Sequence, residues 1–112
     1  MNSNRSLNAR LIDKGQGEFA LEGELTFETA GKLLEATDAV LNSDENIRVD
    51  LAGVSQFDSA GLALLVHCWR EIKKAKKTIA FHEAPLQLSM MAKMSGLDRI
   101  LNISNSSTPV RE

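Results

Sequence analysis

The chain has 112 residues, a formal net charge of -2, 43% hydrophobic and 25% charged residues, and one cysteine. That length supports a single core and leaves no room for a second domain, while the charge balance excludes a general affinity for nucleic acid. Cys68 alone excludes an intrachain disulfide, residues 1–6 lead into no apolar stretch of the kind a secretory signal carries, and no apolar run approaches the roughly 18 residues of a membrane span; a cytoplasmic protein is expected.

Residues 7–11 alternate apolar and polar, and residues 18–22 do so again after Gly15-Gln16-Gly17, which predicts a hairpin. Residues 25–29 read as a helix start, with Thr26 able to cap and Glu28 suited to the first-turn dipole. Ala30, Leu33, Leu34, Thr37, Val40 and Leu41 follow at helical spacing, so one helix with a buried face is expected, ended by Asn42-Ser43-Asp44. Ile47, Val49 and Leu51 alternate with Arg48 and Asp50 as a strand, and Gly53 loosens the chain after it.

The stretch Val54-Ser55-Gln56-Phe57-Asp58-Ser59-Ala60-Gly61-Leu62 then turns from strand into the longest helix. Asp58 or Ser59 can accept from the unpaired N–H groups of the first turn, where the dipole also concentrates partial positive charge. At about 100° per residue, Leu62, Leu65, Cys68, Trp69 and Ile72 gather on a core side and Ala63, His67, Arg70 and Lys74 on an outer side. Ala60, Leu64 and Ala75 fall between the two faces. Lys73, Lys74, Lys76 and Lys77 crowd the C-terminal end, either as a solvated helix end or as a lipid-facing patch.

Thr78-Ile79-Ala80-Phe81-His82 is a further strand, and Pro85 is placed as the first residue of another helix with Leu88, Met91, Ala92 and Ser95 as its inner stripe. Gly96 suits a left-handed position after that helix, with Leu97 folding back on Ala92 or Met91. Ile100, Leu101 and Ile103 make a last apolar segment, either an edge strand or a helical turn. Residues 1–6 and 104–112 are expected to be disordered. This order predicts an α/β domain over residues 7–103, with a mixed central sheet of four to five strands, three to four helices packed on it and right-handed crossovers between parallel strands.

The residues do not assemble a catalytic centre. His67 and His82 are far apart in sequence and on different elements, so no metal site is expected. Cys68 falls on a buried face, and Gly15-Gln16-Gly17 lacks the third glycine and the Lys-Ser/Thr ending of a nucleotide loop, so no cofactor is expected. Ser59 has neither a base partner nor a G-x-S-x-G elbow. It remains a cap, or else a contact or phosphorylation site. The helix face carrying Ala63, His67, Arg70 and Lys74, with Leu64 beside it, is a candidate docking surface continuous with Ser59 and Ala60.

At Asp58-Ser59-Ala60-Gly61-Leu62 the chain resembles the STAS family, the domain of anti-sigma factor antagonists and of sulfate-transporter tails. Gly23-Glu24-Leu25-Thr26 is similar to that family's G-x-L-D/T segment before the first helix, Val49-Asp50-Leu51 to its strand before the D-S/T-x-G-L turn, and the likeness covers residues 7–101. The run from Asp58 to His67 continuing to Trp69-Arg70, with Pro85-Leu86-Gln87-Leu88 and Ala92-Lys93-Met94-Ser95-Gly96-Leu97, resembles the MlaB-type members most. That resemblance implies a STAS-like fold without catalysis. It also implies a cytoplasmic subunit that binds the ATPase of an ABC transporter moving phospholipid between inner and outer membranes, and so maintains lipid asymmetry. Contact with the membrane would be indirect, through the complex. Ser59 would matter for function, with Asp58 and Gly61 shaping the turn. The alternative is an anti-sigma factor antagonist switched by phosphorylation of Ser59. Weak self-association stays open.

Overall fold

The computed structural model describes residues 9–101 and residue 103, so the tails expected at 1–6 and 104–112 lie outside the described residues. In chain order the elements are β1 (Ala9–Gly15), β2 (Glu18–Leu25), α1 (Phe27–Glu35), α2 (Thr37–Leu41), β3 (Asn46–Phe57), α3 (Ser59–Lys74), β4 (Thr78–His82), α4 (Leu86–Met94) and α5 (Asp98–Leu101). The predicted hairpin forms as β1 and β2, antiparallel, around a turn in which Gln16 takes a φ of 58° and Asp13 Oδ1 accepts from Gly15 N at 2.8 Å.

The four strands make one mixed sheet in the order β1-β2-β3-β4, with β2, β3 and β4 mutually parallel neighbours. Two successive right-handed crossovers that step the same way across a sheet put their helices on the same side. The side chains agree: Ile47, Val49 and Leu51 are buried, whereas Arg48 is exposed on the other face. That other face carries cross-strand ion pairs, Arg10 with Glu22 at 3.1 Å and Arg48 with Glu18 at 3.7 Å, as a solvated antiparallel or mixed sheet does. The core between sheet and helices is built on Phe19, Leu25, Leu51, Ile72, Phe81 and Leu88.

β3 runs to Phe57, well past the Leu51 at which its alternation stops. The register explains this. Between Ala20 and Glu22 on β2 the partner residues on β3 go from Asp50 to Gly53, one residue too many, and between Gly23 and Glu24 they go from Val54 to Gln56, again one too many. Each bulge flips the inward parity, so the buried series 47, 49, 51 resumes at Val54.

The single helix expected from Thr26 to Leu41 is two segments. Ala36 (φ -82°, ψ -8°) closes α1 and opens α2, its N–H donating to Leu33 O at 3.0 Å in place of a regular continuation. Leu33, Thr37 and Val40 are buried as expected, but Leu34 is 45% exposed, because it lies a full 100° step away from Leu33. The stripe is completed instead by Thr29. Its hydroxyl donates to Glu24 O at 2.6 Å and accepts from Thr26 N at 3.0 Å, which satisfies a fully buried polar group and ties α1 to the end of β2.

Pro85 is the N-cap of α4, not its first helical residue, since its ψ of 147° is extended. Leu88 and Ala92 are fully buried and Met91 half-buried, while Ser95 closes the helix in the solvent and leaves the inner stripe. Gly96 (φ 74°) donates to Lys93 O at 3.0 Å and Leu97 N to Ala92 O at 2.8 Å, the paired bonds of a Schellman ending. Of its two alternatives the C-terminal segment takes the helical turn, over Asp98–Leu101, and Ile103 beyond it makes an isolated parallel bridge to Phe81.

A Cβ on Gly96 would meet nothing within 4 Å, so Gly96→Ala tests the backbone alone. We expect it to cost about 1 kcal/mol in urea denaturation, with Gly96→Asn losing less because asparagine tolerates the left-handed region.

Candidate functional site

The strand-to-helix turn is closed by one carboxylate. Asp58 arrives at the end of β3 with extended backbone (φ -143°, ψ -173°), and its N–H donates to Leu25 O at 3.2 Å, docking the turn on the end of β2. Its Oδ1 accepts from Gly61 N at 3.1 Å, so Asp58 is the N-cap of α3. Its Oδ2 accepts from Phe27 N, also at 3.1 Å, the first residue of α1. The two oxygens therefore hold the N-termini of two helices, and the bond to Phe27 spans 31 residues of sequence. The backbone bonds from Phe27 and Gly61 hold the Asp58 carboxyl below its usual range, because they favour the charged form.

Between the two possible caps, the structure selects Asp58 and leaves Ser59 as the first residue of α3, exposed. Gly61 is fixed by contact: a Cβ there would stand 2.0 Å from Leu25 O and 2.7 Å from the Leu25 carbonyl carbon. The first turn of α3 thus lies flat against the last residue of β2, and any side chain at 61 would push the turn away.

Along α3, Ala63, His67, Arg70 and Lys74 are exposed, and Leu62, Leu65 and Ile72 are buried. Cys68 and Trp69, expected on the core side, are half-buried at its margin. Ala60 is half-buried beside the turn and Ala75 is exposed. Leu64 is half-buried because it turns into the seam with α1 and α2, where an apolar cavity of about 40 Å³ is lined by Leu33, Ala36, Thr37, Leu64 and Cys68 among others. Burial, with the Glu71 carboxylate adding to it, pushes the Cys68 thiol up to about 11, so the thiolate is scarce at neutral pH.

At the far end of α3, Lys77 Nζ donates to Leu41 O at 2.5 Å and Lys74 pairs with Glu71 at 3.4 Å, so the lysine cluster is in part structural. His67 lies on the outer face of α3 and His82 closes β4. Among the described residues no group of three or more His, Cys, Asp or Glu side chains is placed to hold a metal, and no helix is long and apolar enough to cross a membrane.

One surface residue of this corner was not singled out from the sequence. Phe27, the residue whose N–H Asp58 accepts, is 78% exposed. A phenylalanine in a first helical turn reads as a buried contact. The register of α1 was the available signal, since Thr29 and Leu33 occupy the inner stripe and a residue two places before Thr29 points elsewhere.

A four-stranded mixed sheet, with crossover helices on one face and a D-S-x-G corner joining β3 to α3, defines a small α/β domain whose distinctive surface is a helix start. Residues 12–102 match the family model described as "Mlab, STAS domain", and the chain belongs to the STAS family. It is 28% identical over 104 residues to the anti-sigma-B factor antagonist of Listeria monocytogenes, covering 91% of this chain and 90% of the relative. The fold is shared with an anti-sigma factor antagonist from Mycobacterium paratuberculosis (TM-score 0.75, 21% identity, 96% of this chain and 92% of that one). It is shared too with the Bacillus cell fate determinant SpoIIAA in its phosphorylated form (TM-score 0.65, 15% identity, 88% and 92%).

Two variants test the corner. Gly61→Ala should destabilise the domain by about 3 kcal/mol through overpacking against backbone, read as a lower urea midpoint. Asp58→Asn offers one acceptor where two amides need one each, so it too should lower the midpoint at neutral pH. Because folding lowers the Asp58 pKa, the unfolded chain takes up the proton first; the contribution is complete above the ordinary value of 3.8 and is lost as pH falls through the folded value. Urea titrations from neutral pH down into that acid window should show a loss of stability that Asp58→Asn lacks.

Proposed function

We propose that this protein is a non-catalytic, cytoplasmic accessory subunit that docks through the Ser59 corner and the outer face of α3 onto the ATPase of an ABC transporter for phospholipids. In this reading it supports assembly and activity of a machine that maintains lipid asymmetry between two membranes. The observation that carries it is the Asp58 carboxylate, which holds both helix starts and so presents the exposed Ser59 on a fixed surface. Ser59, Ala60 and Ala63, with Leu64 at the edge, form the small and apolar part of the surface, and His67, Arg70 and Lys74 the polar part. A surface of this kind, with a close-packing centre and a charged margin, suits a protein partner better than a small substrate. The "Mlab" description of the matching family supports the choice of partner. The membrane is reached only through that partner, and no cofactor or nucleic acid is required.

A second reading has its own support, since a curated relative is named an anti-sigma-B factor antagonist. A phosphate on Ser59 would meet the positive end of α3 but also the adjacent Asp58 carboxylate, and would change the surface more than the fold. Intact mass of the protein taken from cells in several growth states separates the two, because the switch requires a phosphorylated fraction at Ser59.

Co-purification of the ATPase with wild type, Ser59→Asp and Arg70→Glu tests the leading reading. Both variants should keep the fold by circular dichroism and lose most of the ATPase. Undiminished recovery with both would remove this surface from consideration.

A further inference from the structure

The Phe27 ring and the Arg70 side chain are both exposed. Phe19 and Phe81 are 1% exposed and Phe57 and Trp69 are half-buried, so Phe27, at 78%, is the phenylalanine ring that the described residues leave in solvent. It is not on a loose segment. Its N–H is held by Asp58 Oδ2, and the turn that follows is pinned by Thr29 between Glu24 O and Thr26 N. A ring on fixed backbone has only its two side-chain torsions to lose on binding, which is why exposed aromatics of this kind become anchors of protein interfaces.

Further along, Arg70 makes no ion pair among the described residues, and Lys74 has only the Glu71 carboxylate at 3.4 Å. At about 1.5 Å per residue, Arg70 and Lys74 lie roughly 16 and 22 Å down α3 from Ser59. The surface therefore has an aromatic residue tied through Asp58 to the start of α3, and cations toward the other end of that helix.

We propose that Phe27 is the anchor of the interface, inserting into an apolar pocket of the ATPase, and that the same ATPase surface presents carboxylates to meet Arg70 and Lys74, which stand roughly 16 and 22 Å along α3 from Ser59. This rests on the reading that the Ser59 corner docks the ATPase, and it adds what that partner must look like. Complementary charge sets orientation and association rate, and the buried ring sets how long the complex lasts.

The test is titration of the purified ATPase subunit with wild type, Phe27→Ala, Phe27→Leu, Arg70→Gln and Ser59→Asp at low and at high salt, with sedimentation of each free protein as a control. Phe27→Ala should bind about 30-fold more weakly at both salt concentrations, the fold-change of a ~2 kcal/mol hot spot, with unchanged secondary structure and melting. Phe27→Leu should retain most of the affinity, and Arg70→Gln should weaken binding at low salt but little at high salt. If Ser59→Asp abolishes binding while Phe27→Ala binds as wild type, the anchor is wrong and the docking reading survives. If wild type fails to bind, or if every variant binds equally, both fall. Self-association of wild type that Phe27→Ala abolishes would assign the ring to a second copy of this chain and overturn the proposal.

Discussion

One carboxylate organises the part of this domain that faces outward. Asp58 accepts from Gly61 and Phe27 at once, which favours its charged form, and neither of those amides has a partner within its own helix, because both belong to first turns. Removing either bond would leave a helix start with an unmet donor and free two elements to move relative to each other. The glycine at 61 belongs to the same constraint, since the bond lengths hold only while α3 rests on the Leu25 carbonyl. Ser59 adds nothing to this arrangement and is for that reason available to something outside the molecule.

The distribution of polarity divides the surface into parts with different physical character. The bare face of the sheet is covered by opposed charges paired across strands, each pair half-exposed and worth little to stability, but enough to keep that face from sticking. The corner at Asp58 has the opposite character, small residues and one aromatic ring, with Arg70, in no ion pair among the described residues, further down α3. The exposed apolar residues of α4, Leu86, Met90 and Met94, make a separate patch on another element, and the corner is distinguished from it by the fixed polar geometry beneath.

Much of this was legible in the sequence because period and parity are local properties. The hairpin, the α3 faces and the Schellman ending after Met94 each follow from residues within a few positions of one another. The failures are of a different kind. β3 looked short because two bulges reverse its parity, and a bulge depends on what the neighbouring strand does. The helix before it looked continuous because the break at Ala36 leaves the spacing of Leu33, Thr37 and Val40 intact. Asp58 could be recognised as a cap, but its second bond could not, since nothing local relates residue 58 to residue 27. The tie of Phe27 to the corner was hidden with it, although the register of α1 already set its ring off the inner stripe.

That second bond has a consequence for how the domain matures. Its partners are separated by α1, α2 and the whole of β3, so the corner cannot exist until β3 has settled beside β2 and a long loop has been closed. A nascent or partly opened chain has no fixed Phe27 next to Ser59. Any protein that reads the two together is therefore inspecting the finished article, and association doubles as a check on completed folding.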